Sequence, residues 1–368
     1  MRPKKLAAGL LSLVMLGCVK PLEIEVETQR AVVLSGVISN SQPQRSFLLY
    51  EGGGLADLHR PISAEGELYR DGELWAELLQ VEPGRYLLAP GFNLEAGRSY
   101  HAVFRTEDGQ IYRSRPEVLP EVQRSEAVGF RKDVRPLGVN SFGGPRNVEV
   151  VDVFAQITIP ESQATPRYYR FQVDEAWAFR ELAKPANQLA PGERDVIRTC
   201  YLRREEQENP STLLSTDQLA PGRVDVLVTT QPIDESFEEK HYFNVYLHSI
   251  TPSAFTYYGD ILRLSQIEGS LYDEIPAAVR GNVYNEVDTS ELVLGYVEFS
   301  LADTMRLALT PSDLREQIFS FCRPASGVTP CSSPPPRPPG DTTTYYCRCY
   351  DCDQIYGFST LIRPAYWE

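Results

Sequence analysis

Three cysteines stand within six residues at Cys347-Arg348-Cys349-Tyr350-Asp351-Cys352. Cys322 and Cys331 lie just upstream, Cys200 stands alone in the middle, and Cys18 near the start brings the total to seven. Thiols at this spacing can crosslink or ligate a metal. Cys-x-Cys-x-x-Cys offers three soft donors to zinc, but structural zinc sites are built from paired Cys-x-x-Cys or Cys/His sets. None of the four histidines, His59, His101, His241 and His248, is close by in the sequence.

Cys18 has a different context. Arg2, Lys4 and Lys5 precede an apolar run from Leu6 to Leu16, broken only by Gly9 and Ser12. A basic start and a short apolar run that ends at a small residue make a secretory signal. The run is too short to span a bilayer, which takes about 20 apolar residues. Met15-Leu16-Gly17-Cys18 resembles the lipobox of bacterial lipoproteins, with Met15 where Leu is usual. That resemblance implies cleavage of residues 1–17 and lipid, palmitate included, on Cys18. Several acyl chains on one residue anchor stably, since each buried CH₂ contributes about 0.8 kcal/mol. Residues 18–30 then form a tether. Val19 is not an acidic inner-membrane retention residue, which points to the outer membrane.

In that oxidising compartment the other six cysteines, Cys200, Cys322, Cys331, Cys347, Cys349 and Cys352, are disulfide candidates, and no zinc or other cofactor is expected. Six cysteines allow many connectivities, and the spacing does not choose among them. The formal charge of −14 argues against nucleic acid, whose binding requires Lys and Arg to neutralise phosphates. Cleavage would remove three positive charges and leave the mature chain more acidic still.

The length of 368 residues suits two or three domains, and 28 prolines and 20 tyrosines suit short strands joined by punctuated loops. Residues 31–120 read as an immunoglobulin-like or transthyretin-like β-sandwich: short apolar strands separated by turn signals, with Asp71-Gly72 as the strongest hairpin turn. Gly52-Gly53-Gly54 lacks the residues of a phosphate loop. Pro116 to Pro120 marks a boundary, and residues 121–368 form a larger β-rich domain with one or two helices and a disulfide-stapled C-terminus. Its strands include residues 148–159, 168–173, 196–202, 224–228, 242–247 and 292–300. Thr251-Pro252-Ser253 signals a helix start, followed by Ala254, Phe255, Tyr258, Ile261, Leu262 and Ser265 at helical spacing; Gly269 is its expected stop. This stripe is expected to pack on a sheet. Ser332 to Gly340 is a Pro-rich loop.

Several stretches together resemble one family. They are Gly36-Val37-Ile38-Ser39-Asn40, the Gly97-to-Ser114 segment, Cys200-Tyr201, and Gly281-Asn282-Val283-Tyr284-Asn285 with Leu294-Gly295-Tyr296. The last is the Cys349-Tyr350-Asp351-Cys352 … Arg363-Pro364-Ala365-Tyr366-Trp367 end. In this order they resemble the domain of unknown function 4249 (DUF4249) family, lipoproteins of the Bacteroidota outer membrane. The resemblance implies a protein often encoded near TonB-dependent outer-membrane receptors and no established enzymatic activity. The expected function is therefore an outer-membrane-anchored accessory or binding component associated with a TonB-dependent transporter, with no catalysis. Arg363, Tyr366 and Trp367 are its candidate docking or ligand residues, although a terminal aromatic pair commonly packs into the nearest core.

The alternative is a free-standing surface module for glycan or peptide, using Trp75, Trp177 or Trp367 as flat faces. A hydrolase is the remaining class. His241 and His248 lie seven apart on an apparent strand, and odd spacing sends them to opposite faces. No Gly-x-Ser-x-Gly elbow or His-Glu-x-x-His helix is present.

Overall fold

The computed structural model describes residues 30–316, 318, 352 and 360–367, leaving out 42–45, 53–59, 140–143, 162–164, 182–195, 205–211, 218 and 266–277. The signal, most of the tether, Cys18, Cys322, Cys331, Cys347, Cys349, Gly269 and the Pro-rich loop 332–340 lie outside the described residues.

Alternation with a period of two builds the first unit. β1 (Ala31–Ser39), β2 (Ser46–Gly52), β3 (Arg60–Pro61), β4 (Ala64–Arg70), β5 (Glu73–Glu82), β6 (Arg85–Leu88), β7 (Ser99–Thr106), β8 (Ile111–Ser114) and β9 (Glu117–Val118) follow in order. The Asp71-Gly72 hairpin forms as predicted between β4 and β5. Both residues take positive φ, 54° and 86°, as a two-residue primed turn demands. β5 pairs with β4 through Glu73–Glu77 and with β6 through Leu78–Glu82, so it turns the corner between two sheets. Leu34, Phe47, Leu49 and Tyr86 point inward from one sheet, and Leu68, Tyr100, Ala102 and Phe104 from the other. Phe104 meets Phe47 and Tyr86 edge-on at 5.6 Å and 5.0 Å, a geometry that suits the ring quadrupoles.

The second unit is also a sandwich. Its strands are β10 (Ala127–Val139), β11 (Pro145–Ile159), β12 (Tyr168–Arg180), β13 (Thr199–Arg204), β14 (Thr212–Ser215), β15 (Gly222–Pro232) and β16 (His241–Ile250). They are followed by α1 (Pro252–Ser265), β17 (Val283–Asn285), β18 (Val293–Leu294), β19 (Val297–Leu309) and the one-turn α2 (Pro311–Leu314). The sheet β10-β11-β15 faces the sheet β13-β12-β16-β19. Val151, Val153, Ala155 and Ile157 of β11 alternate inward against Phe171 and Val173 of β12 and Phe243, Val245 and Leu247 of β16. The mainly β class, the two helices and the C-terminal disulfide match the sequence expectation. No helix among the described residues is long and apolar enough to cross a membrane.

The chain then returns to its beginning. β17 pairs with β8, and β18 runs parallel to β1. β19 runs parallel to β1 through Val297–Ser300, then antiparallel to β16 through Ser249↔Leu301 to His241↔Leu309. Val283, Val293, Val297 and Phe299 are buried in the first core. The first sandwich is thus completed by strands from beyond residue 280, and among the described residues one sixteen-stranded sheet runs through both units.

Helix α1 starts as predicted, with Pro252 in its first turn and the Thr251 hydroxyl accepting from the Ala254 N–H at 3.2 Å. Its apolar stripe packs through Ala254, Phe255 and Tyr258, whereas Ile261 further along is 40% exposed.

The return depends on two glycines. A Cβ on Gly281 would stand 1.7 Å from the Gly295 carbonyl oxygen, and one on Gly295, whose φ is +99°, would stand 2.3 Å from the Leu34 oxygen. Gly281→Ala is expected to lower the unfolding free energy by more than about 2 kcal/mol. Gly259→Ala inside α1, where the nearest atom is Leu213 at 4.0 Å, is expected to be neutral or stabilising by up to about 1 kcal/mol. Urea midpoints measure both, and equal effects would contradict the close approach.

Candidate functional site

All ten residues of β16 are buried, although only one of its faces is apolar. Phe243, Val245 and Leu247 face the second core. Asn244, Tyr246 and His248 face the other way, beside Arg170, Gln172 and Asp174 of β12 and Glu298, Ser300, Thr304 and Arg306 of β19. A buried charge is tolerable only when paired and hydrogen-bonded. Arg170 therefore donates Nε and Nη2 to Glu298 Oε2 and Oε1 at 3.1 Å and 2.8 Å, with both side chains almost wholly buried. Ser300 Oγ donates to Glu298 Oε1 at 2.6 Å. Its one proton thus committed, it accepts from His248 Nδ1 at 2.9 Å, leaving His248 Nε2 buried with no hydrogen bond among the described residues. The Arg170 guanidinium also lies over the Tyr258 ring of α1, 4.9 Å from its centroid.

This environment shifts several groups. Burial alone would raise Glu298, but the Arg170 charge and the donors around it outweigh burial and hold it at about 2. Burial, with Arg170 alongside, pushes His248 down to about 3, so the ring is neutral at neutral pH. Burial, reinforced by the Glu298 charge, pushes the Tyr258 hydroxyl well above its ordinary value. A nucleophilic serine must pass its proton to the imidazole and reach a substrate carbonyl. Ser300 instead donates its hydrogen bond to a carboxylate and is fully buried, so this trio works as a fastening.

The C-terminal segment wraps the β13 edge of the same sheet. Cys352 is bonded to Cys200 across 152 residues of sequence, with a Cα–Cα distance of 5.4 Å. Cys352 is therefore not available to the three-cysteine zinc set weighed from the sequence. The pair packs with Phe179 and Leu202, on the face opposite Tyr201. Glu181 Oε1 accepts from the Cys352 N–H at 2.9 Å and from Arg198 Nη2 at 2.6 Å. Burial alone would raise Glu181, but these donors hold it below the usual carboxylate range. Its carboxylate and the two sulfurs lie within 4.8 Å of one another. Joined sulfurs carry no thiolate, and Arg198 already takes the carboxylate, so the trio is a clamp.

Beyond the clamp, Thr360 exchanges both backbone hydrogen bonds with Tyr201, at 2.9 Å and 2.8 Å. Trp367 then lies 4.6 Å from the Tyr242 ring and 5.1 Å from the Tyr201 ring. Tyr366 Oη accepts from Asn244 Nδ2 at 3.2 Å, with the Arg306 guanidinium 4.7 Å above its ring. Arg363 donates Nε to the Trp367 carbonyl at 2.9 Å. The candidate docking residues are thus engaged with the protein's own sheet, with Tyr366 and Trp367 half-buried and Arg363 exposed.

The other tryptophans are engaged too. Trp75 meets Phe92 and Tyr100 edge-on. Trp177 stacks on His241 and lies under Arg204. His241 and His248 stand on opposite faces of β16, as their spacing requires.

An open groove lies at the end of the second sandwich, beside the start of α1. Tyr168, Ser215, Asp217, Pro252, Phe255 and Thr256 line a space of about 460 Å³. Asp217 also lines a separate, smaller space of about 270 Å³, together with Pro160, Glu161, Pro166 and Pro221. The Tyr168 and Phe255 rings touch, 5.0 Å apart and tilted by 47°. Arg170 and Glu298 escaped notice in the sequence, although a charge inside an apolar strand (Tyr169-Arg170-Phe171, Val297-Glu298-Phe299) is itself a signal of a buried partner. The groove left no such trace, because its walls come from distant turns.

Stability should fall as acidity rises. The unfolded chain takes up the His248 proton near the ordinary 6.5, while the folded ring refuses it until about 3. The Glu298 proton adds a second loss from 4.5 down to about 2. Each contributes about 1.4 kcal/mol per pH unit inside its window. His248→Gln should therefore flatten the loss between pH 6.5 and 4.5 in urea titrations; a slope equal to that of the unaltered protein would show that His248 is not the cause.

Residues 19–306 match the family described as Domain of unknown function (DUF4249). Arg170, Glu298, Ser300 and His248 fall inside the matched range, whereas Cys352, Thr360, Tyr366 and Trp367 fall outside it. No curated protein matches the sequence. The match covers well over half of the chain, which belongs to the DUF4249 family.

Proposed function

We propose that the protein is a lipoprotein, anchored to the outer membrane through Cys18, that serves as a non-catalytic binding or accessory component of a TonB-dependent transporter. The observation that carries a binding role is the open groove over Tyr168 and Phe255, set at the end of the second sandwich. Sites that hold ligands combine such apolar floors with a few placed polar groups. The anchoring rests on Met15-Leu16-Gly17-Cys18, and the transporter association on the family resemblance. The twelve residues from Val19 to Arg30 reach no more than roughly 40 Å, so the first sandwich would be held next to the bilayer.

A free-standing surface module for glycan or peptide is the second reading, and the aromatic pair in the groove favours it. A hydrolase built on His248 would need Ser300 exposed and its proton on the imidazole, the reverse of the arrangement described above.

Two measurements test the proposal. Cys18→Ala should abolish incorporation of labelled palmitate and move the protein out of the membrane fraction. The lipidated protein, drawn from its native membrane in mild detergent, should bring a β-barrel receptor with it in stoichiometric amount by mass spectrometry. A clean, lone lipoprotein would overturn the transporter association in favour of the free-standing module, and an unlipidated protein would overturn the anchoring.

A further inference from the structure

The two outer faces of the first sandwich differ in character. Where one face of a sheet lies on the core, the residues that point away from it are expected to be polar. One outer face follows this rule. β4, β7 and β8 turn Leu68, Phe104 and Tyr112 inward, and Glu65, Glu67, Arg105 and Arg113 outward. The other face does not. β2, β6 and β5 turn Phe47, Leu49, Tyr86, Leu88 and Leu78 to the core. Their outward positions nevertheless hold Leu48, Tyr50, Leu87, Leu79 and Val81. Leu79 stands directly across from Leu87. Leu79 is 65% exposed, Leu48 44% and Val81 41%, so burial in the described fold does not account for them.

The border of this face is basic. Arg85 stands across from Leu48, with Glu82 3.8 Å away. Arg30 and Arg60 flank Glu51 at the end where the chain enters β1, at 3.7 Å and 4.0 Å. Aliphatic side chains bordered by tyrosine and arginine suit a bilayer interface: the hydrocarbon enters the acyl boundary, the tyrosine sits at headgroup level, and arginine meets lipid phosphate.

The point of attachment selects the bilayer as the occupant. β1 is hydrogen-bonded to β2 in this same sheet and begins at Ala31, after the twelve residues Val19 to Arg30 that would follow the lipid. With about 3.4 Å per residue along a strand and about 4.8 Å between strands, Leu79 lies roughly 30 Å from Arg30. The tether spans up to roughly 40 Å, so the whole face lies within its reach. A lipid on Cys18 would bring a bilayer to this sheet in every copy, and this is the apolar one of the two outer faces.

We propose that the outward face of β2, β6 and β5 rests on the lipid surface, with Leu48, Leu79, Val81 and Leu87 entering the headgroup boundary and the first sandwich lying flat on the membrane. This inference rests on the anchoring proposed above and assigns the face that meets the bilayer.

The test uses the lipidated protein reconstituted into vesicles of phosphatidylethanolamine with a minor share of phosphatidylglycerol. Leu79→Trp and Leu48→Trp place a reporter on the apolar face, and Glu65→Trp places one on the polar outer face. An interfacial apolar face sinks about 5–10 Å into the headgroup boundary. The emission added by Leu79→Trp and by Leu48→Trp should therefore shift to the blue, and should be quenched when phosphatidylcholine brominated high on its acyl chains is included. The emission added by Glu65→Trp should show neither change. Leu79, Leu48 and Glu65 are all exposed, so urea midpoints equal to that of the unaltered protein should show that each variant keeps its fold.

Equal behaviour on the two faces, quenched or not, would overturn the assignment, while labelled palmitate still on Cys18 would leave the anchoring standing. Loss of a co-purifying receptor, or of a dimer seen by mass photometry in nanodiscs, on Leu79→Arg would put a protein on this face and overturn the lipid as its occupant. A protein without lipid on Cys18 would remove the anchoring and this inference together.

Discussion

The architecture turns on one strand that must satisfy two sheets. β19 leaves the first sandwich parallel to β1 and enters the second antiparallel to β16, with the change at Ser300–Leu301. Glu298 stands at this junction, and its charge is met by Arg170 from β12, two strands away. The pair bridges sheet neighbours that backbone hydrogen bonds alone would leave free to shift in register. A one-residue slip would turn Glu298 towards the first core and bring Val297 out beside Arg170. The cost of leaving either charge buried without the other is several kcal/mol, so the pair penalises wrong registers more than it stabilises the right one.

The same constraint explains why the polar face of β16 is buried. Once β12 and β19 flank this strand, its outward side chains must be satisfied by neighbours on that face. Asn244 binds Tyr366 and Arg306, Tyr246 donates to Asp174, and His248 donates to Ser300. The C-terminal segment supplies part of this cover. Its described residues stand at the disulfide on one face, at the Tyr201 edge, and in the aromatic cluster on the other. An exposed strand edge is a template for unwanted pairing, and the Thr360 bridge together with the crosslink blunts it. Cys352 and Trp367 lie outside residues 19–306, the range that matches DUF4249.

Closing the first sandwich with strands from beyond residue 280 also has a kinetic meaning. Pairing β1 with β19 joins positions more than 250 residues apart, such as Gly36 with Val297. Contacts of that separation repay their loop-closure entropy only after much of the intervening chain is ordered. Strands β10 to β16 of the second sandwich pair across at most 82 residues, as in Val150 with Pro232 and Tyr168 with Ile250, and can form without that wait. The groove at its far end is lined by residues of this unit and of the first turns of α1.

Much of the local structure was legible in the residues. Alternation and turn chemistry placed most strands, Asp71-Gly72 announced its hairpin, and Thr251-Pro252 announced the helix start, because backbone conformation is set by neighbours a few positions away. The even count of six cysteines implied crosslinks, and the residues of several stretches pointed to the family. The partner of Cys200, the burial of Arg170 with Glu298, and the meeting of Tyr168, Asp217 and Phe255 were decided by the tertiary structure alone. So was the return of β17 to β19 to the first sandwich. Each of these joins residues far apart in the chain, where periodicity carries no information and only the packing of whole sheets selects the neighbour.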